Sequence, residues 1–252
     1  MVSTLKGLST LARLMNRHGV SSRQFDPEPA MRAPLLIALL TAATVTQAAP
    51  PARGVEAAVA AYERGELAAA HSAFTRLSRA GVAAADYNLA VMHLRGEVPA
   101  ASPAQALQWM SRAADAGFVT AMVGLAQLHE QGRAGTAVDL VQANHWYRRA
   151  AVAGSVDGQV AIGTAHYLGR GAAKDAVQAA RWFRVAAQGG DVGAQYLIAS
   201  MYEAGDGVER DLKEARYWYG VAARNGDDAA PSKVKELDTR IGAPASRITA
   251  RP

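Results

Sequence analysis

The sequence predicts an all-α fold, a solenoid of stacked helix-turn-helix repeats, and three observations carry that expectation. The four tryptophans, Trp109, Trp146, Trp182 and Trp218, recur at spacings of 37, 36 and 36 residues. A fixed period in this range marks stacked supersecondary units. Each tryptophan is followed by two alanines and a glycine: Ala113-Ala114 and Gly117, Ala150-Ala151 and Gly154, Ala186-Ala187 and Gly190, Ala222-Ala223 and Gly226. Half of the 252 residues are hydrophobic but only 6% are aromatic. Alanine dominates the apolar set, which suits helices that approach closely.

Residues 31–48 read as an export signal. Met31-Arg32 precedes the apolar run Ala33 to Val45, and Thr46-Gln47-Ala48 offers small residues for cleavage after Ala48. The run is shorter than the roughly 20 residues of a membrane span. Signals of this kind begin near the initiator, so Met31 is the expected start and residues 1–30 a mis-assigned extension. With no cysteine in the chain, a lipid-modified thiol, disulfides and thiolate zinc sites are all excluded. The formal charge of +5 is uneven: residues 1–48 hold five Lys and Arg against two acidic residues. The remainder is close to neutral and lacks the basic stripe of a nucleic-acid binder. Residues 49–54, rich in proline and glycine, read as a linker.

The folded part is expected as one domain over 55–241. Residues 55–84 form a first helical pair with a short connection, Gly65 to Gly81 spanning 16 residues against 21 from Gly96 to Gly117. Four full units follow over 85–226, divided as 85–120, 121–157, 158–193 and 194–229. Their first helices are expected to begin at Ala85, Ala121, Gly158 and Ala194. Each carries a large residue beside a small one, Leu89-Ala90, Leu125-Ala126, Ile162-Gly163 and Ile198-Ala199. A ring position follows (His93, His129, His166, Tyr202), then a terminating glycine (Gly96, Gly132, Gly169, Gly205) of the kind that ends a helix in the left-handed region. The second helices open on four capping boxes: Ser102 with Gln105, Asp139 with Gln142, Asp175 with Gln178, and Asp211 with Glu214.

Unit length, caps, glycines, small residues and tryptophan together resemble the Sel1-like repeat family, the longer-looped relatives of tetratricopeptide repeats. That resemblance implies a right-handed α/α superhelix. His replaces the family's usual Tyr three times. The loops at Gly96-Glu97-Val98 and Gly132-Arg133-Ala134-Gly135 lack the Gly-x-Gly of Gly169-Arg170-Gly171 and Gly205-Asp206-Gly207, so they are expected to be shaped differently. After Gly226, residues 230–241 read as a capping helix with Ser232 as its N-cap and Val234, Leu237 and Ile241 on one face. Residues 242–252 are expected to be disordered.

The chemistry on offer is slight. His93, His129 and His166 sit in successive units, set apart by the roughly 8–10 Å between packed helices, whereas one metal needs ligands about 2 Å away. They read as buried ring-position residues. His129-Glu130 opens a zinc-protease phrase but Arg133 stands where the second histidine is needed. Ser232-x-x-Lys235 has the spacing of some acyl enzymes without their companion motifs. Arg112, Arg148, Arg149, Arg184 and Arg224 read as a solvated outer face. No catalytic residue, metal or cofactor is expected.

The remaining feature is a groove lined by the first helices. By helical position it offers Asn88, Val91, Arg95, Gln127, Gln131, Thr164, Tyr167, Ser200 and Glu203. Asn88 matches the place where related repeats carry an amide that bonds a peptide backbone. The expected function is a non-enzymatic, exported scaffold or regulator. It binds a protein or peptide in the cell envelope through the concave face, with no nucleic acid and no membrane role beyond export. The alternative is an enzyme or enzyme-inhibitor module in cell-wall or β-lactam chemistry.

Overall fold

The computed structural model describes residues 50–242. The export signal, the proposed extension and the expected disordered tail lie outside them. Eleven helices make up the described residues, with no strand among them: α1 (Pro50–Glu63), α2 (Leu67–Arg79), α3 (Ala83–Leu94), α4 (Pro103–Asp115), α5 (Val119–Gln131), α6 (Leu140–Val152), α7 (Val156–Leu168), α8 (Ala176–Gln188), α9 (Val192–Ala204), α10 (Leu212–Arg224) and α11 (Ala230–Gly242). The architecture is an all-α repeat superhelix. Its residues fall into two compact units: an N-terminal one, 50–162 with 170–173, and a C-terminal one, 163–169 with 174–242. The division runs through α7, as it can in an array whose repeats contact only their neighbours. One domain had been expected over this span.

The large-small pairs do the packing assigned to them. Leu89, Leu125, Ile162 and Ile198 are all at most 1% exposed, and Ala90, Ala126 and Ala199 are fully buried. Gly163 is the informative variant. A methyl there would stand 2.9 Å from the Phe183 ring, so the smallest residue faces the bulky ring of its own unit's second helix.

Two boundaries correct the sequence reading. The first helices begin two residues earlier than expected, at Ala83, Val119, Val156 and Val192. The apolar register locates the first buried residue, not the first helical one. The segment read as a linker is the opening of α1. Prolines are tolerated in a first helical turn, where the N–H groups have no acceptor in any case, and Gly54 lets Leu77 of α2 approach closely.

The capping boxes are half formed. Ser102, Asp139, Asp175 and Asp211 each accept a backbone N–H from the residue three positions on. The reciprocal bond to the cap's own N–H is not made, because that N–H is already used. In three units it donates to the ring-position carbonyl: Asp139 to His129 (2.8 Å), Asp175 to His166 (2.9 Å) and Asp211 to Tyr202 (3.0 Å). In the first unit Ser102 N–H donates to His93 Nδ1 instead, at 3.3 Å.

The loops divide as the glycine pattern implied. The second glycine of each Gly-x-Gly lies against the preceding unit's second helix. A Cβ on Gly171 would stand 2.5 Å from the Leu140 carbonyl oxygen, and one on Gly207 2.1 Å from that of Ala176. The other two loops place alanines, Ala100 (φ 57°) and Ala134 (φ 56°), in the left-handed region.

The capping helix starts differently from the expected form. Asp227 supplies the cap, its Oδ1 accepting from Ala229 and Ala230 N–H, while Ser232 donates to the Ala229 carbonyl from within α11. Asp191 caps α9 in the same way, accepting from Ala194 N–H. Thus α11 is laid out as the first helix of a fifth unit. Lys235 occupies the slot filled by Ala90, Ala126, Gly163 and Ala199, so the face that would receive another helix carries a charge.

Candidate functional site

The ring position is buried only in the first unit; His129, His166 and Tyr202 are half-buried. His93 is buried, and its Nδ1 accepts a backbone N–H, so its neutral form is the one held. Burial, and then nearby His71, lower its pKa below the ordinary value. The folded protein therefore binds fewer protons than the unfolded chain between that lowered value and about 6.5. Stability is complete above about pH 6.5 and falls as pH drops through this window. Denaturant titrations from about pH 7.5 to about pH 5.5 should show a steeper loss for the native chain than for His93→Gln; parallel curves would exclude His93 as the source. Among the described residues no group of three His, Cys, Asp or Glu could hold a metal.

A second recurrent feature is a tyrosine on the second helix tied to a carboxylate on the first. Tyr147 donates to Glu130 at 2.9 Å and Tyr219 to Glu203 at 3.1 Å. Burial, reinforced by the adjacent carboxylate, pushes both phenols far up. In the intervening unit the places are taken by Tyr167 and Phe183, whose rings meet at 6.5 Å. Tyr167 turns its hydroxyl to Asp206 at 3.0 Å, and burial with that carboxylate raises its pKa to about 12. In the first unit both positions are apolar, Leu94 and Met110.

These bonds decide which groove candidates are available. Asn88 is turned inside, 4% exposed, with its amide nitrogen donating to the Ala84 carbonyl. It therefore does not present the backbone-binding amide that its position implied. Val91 is partly buried against the core. Arg95 donates to Tyr62 Oη, which also bonds Glu97, joining α1 to the end of α3. The Thr164 hydroxyl oxygen is buried without a partner, and Tyr167 is held by Asp206. Ser200 and Glu203 both engage Tyr219. Glu203 also takes Lys233 Nζ at 3.1 Å and Arg240 Nη1 at 2.6 Å from α11. The sequence pattern missed this, because the partners arrive from outside the four repeats.

Gln127 and Gln131 remain. Both are exposed and neither side chain is bonded to a described residue. Gln127 lies in a cleft of about 310 Å³ within the N-terminal unit. Its walls are Tyr87 of α3, Val119, Thr120, Val123 and Gly124 of α5, and Ala153, Gly154, Ser155 and Asp157 at the turn into α7.

Of the five outer-face arginines, Arg148 and Arg224 are exposed as expected, and the other three are engaged with the protein. Arg112 stacks over Trp109 at 4.8 Å and donates to Asp86 and Ser78, both buried. Arg149 stacks over Trp146 at 4.3 Å and pairs with Asp115. Arg184 lies over Tyr202 and donates to its hydroxyl. The Ser232 hydroxyl is spent on its own helix, donating to the Ala229 carbonyl at 2.7 Å.

Solved structures that resemble the chain include two that cover 68% and 75% of it. One is a protective antigen of uropathogenic Escherichia coli strains with an SLR fold, 29% identical, with a TM-score of 0.61 over 68% of this chain. The chain spans only 36% of that protein. The other is a Sel1 repeat protein from Oxalobacter formigenes, 25% identical, with a TM-score of 0.62, covering 75% of this chain and 86% of that one. No curated protein matches the sequence. The Sel1 repeat model matches four times, at residues 83–118, 119–155, 156–191 and 192–227, and each match opens where α3, α5, α7 or α9 begins. With more than half its length in four such repeats, the chain belongs to the Sel1 repeat family.

Proposed function

We propose that the protein is a non-enzymatic, exported scaffold or adaptor that binds a protein or peptide of the cell envelope on its first helices. Sel1 repeats commonly mediate protein–protein interaction. The observation that carries the finer reading is the cleft around Gln127. It is of the size of small recognition pockets, with Val119 and Val123 beside Thr120, Ser155 and Asp157 in its walls and one unbonded amide. An extended segment laid there gains apolar burial from Val119 and Val123 and a backbone hydrogen bond from Gln127, the usual division between affinity and register. Export rests on the signal-like segment ending at Ala48.

The test is a pull-down from envelope extract with the native chain and with a Gln127→Ala, Thr120→Arg variant. A direct partner should be depleted about ten-fold by the variant. Equal retention of every partner defeats the reading. N-terminal sequencing of the mature chain should begin at Ala49; a start upstream of residue 40 defeats export by this signal.

A further inference from the structure

A chemically labile pair sits in the bend that leads into α11. Asn225-Gly226 is the one Asn-Gly pair in the sequence. In such a pair the glycine nitrogen, unshielded by a side chain, can attack the neighbouring amide carbon. Asn225 ends α10 as its C-cap, and both residues are exposed. Open space sets this pair apart from the two Asp-Gly pairs, Asp157-Gly158 and Asp206-Gly207. A Cβ on Gly158 or Gly207 would stand 2.7 or 2.1 Å from backbone of a neighbouring helix, whereas one on Gly226 would meet nothing within 4 Å.

The Asn225 amide is also a link between helices. Its Nδ2 donates to Gln195 Oε1 of α9 at 3.0 Å, and Gln195 Nε2 donates to the Ala187 carbonyl of α8 at 3.2 Å. Gln195 is 2% exposed, so Asn225 supplies the donor that its buried oxygen needs. The preceding repeat shows the same place without that donor. Gln159 likewise donates to the Ala151 carbonyl, at 3.3 Å, but Gly189 ends α8 where Asn225 ends α10, and Gln159 Oε1 has no partner. Two backbone bonds then close the bend: Gly226 N–H to the Ala223 carbonyl at 3.3 Å and Asp227 N–H to that of Ala222 at 2.9 Å. The Gly226 bond is the longer, and helix ends fray, so its nitrogen is released without general unfolding.

We propose that Asn225 is a site of spontaneous deamidation, and that its conversion loosens α11 from the last repeat. The Gly226 nitrogen gives up its proton and bonds to Asn225 Cγ; the Cγ–Nδ2 bond breaks and ammonia leaves with that proton. Water then opens the cyclic imide at either carbonyl, leaving aspartate or isoaspartate. Either product sets a carboxylate, which can only accept, against Gln195 Oε1. Turning the Gln195 amide over would move the loss to the Ala187 carbonyl. The new charge lies at the C-terminus of α10, next in sequence to Asp227 and Asp228, where the helix dipole disfavours it. Isoaspartate also lengthens the backbone by one carbon, inside the bend that positions the Asp227 cap of α11.

The test is full-length protein held for several weeks at physiological temperature and pH, then followed by peptide mapping and hydrogen exchange. The tryptic peptide 225–233 should gain the mass of an amide-to-acid conversion and split into two chromatographic species. Peptides holding Asn88 and Asn144 should not. Amides of α11 should exchange about ten-fold faster or more in the aged protein, with those of α3 and α4 unchanged. Asn225→Asp should reproduce the faster exchange in fresh protein. Asn225→Gly, which copies Gly189, should gain no mass on ageing and should exchange more slowly in α11 than Asn225→Asp. No mass gain in peptide 225–233, or an equal gain at Asn88 and Asn144, overturns the proposal. Conversion that leaves α11 exchange unchanged overturns it as well.

Discussion

Gly207→Ala is expected to destabilise the protein by about 3 kcal/mol or more. The new methyl would lie 2.1 Å from the Ala176 carbonyl oxygen and 2.3 Å from its carbon, at a residue with φ +70°. Both obstacles are backbone, in the first turn of α8, so no rotamer change relieves the overlap. The loop after α9 would have to lift from the helix it rests on. Gly190→Ala separates the two contributions. It has φ +94° but nothing within 4 Å of the added carbon, so it should cost only the left-handed strain, about 1 kcal/mol. Guanidinium denaturation of both variants measures the difference. Equal midpoints would show that the close approach of loop to helix is not what selects glycine.

Arg112→Ala should cost about 2–3 kcal/mol, discounting for the half-exposed guanidinium. Arg112 reaches from α4 to Asp86 of α3, with Nε 2.8 Å from Oδ2, and to the carbonyl and hydroxyl of Ser78 in α2, both at 2.8 Å. Asp86 is only 2% exposed, so truncating the arginine strands a carboxylate in the interior. The next repeat shows the apolar solution to the same place, Met122, 5% exposed. Asp86→Met combined with Arg112→Ala should therefore recover to within about 1 kcal/mol of the native chain. A double variant as unstable as the single one would mean that lost stacking on Trp109, not the orphaned charge, carries the effect.

The fold was legible because its signals repeat. Leu89, Leu125, Ile162 and Ile198 share one environment four times over, and the four capping residues accept the bonds that their type implies. What escaped was whatever depends on a second element. The return half of each capping box is absent because an acceptor one helix earlier, a carbonyl in three units and the His93 ring in the first, has already taken the N–H. Ser232 looked like a cap, being a serine at the opening of a helix, yet Asp227 lies where Asp191 does in the preceding unit and takes the role. Glu203 looked free by helical position, but Lys233, Arg240 and Tyr219 converge on it. Asn88 was placed by analogy of position, and its turn toward Ala84 follows from the packing of α3, which no periodicity reports. Gln127 and Gln131 stay exposed and unbonded to any described residue, as their helical positions implied.

The bond from each cap N–H to the preceding helix has a kinetic side. It joins residues nine or ten apart, from Ser102 to His93, Asp139 to His129, Asp175 to His166 and Asp211 to Tyr202. Closing so short a loop takes about 10–100 ns, and proteins rich in such local contacts fold fast. Each hairpin can therefore be pinned at its bend before it meets a neighbour. During synthesis a completed repeat need not wait for the next to leave the ribosome before its two helices are correctly crossed.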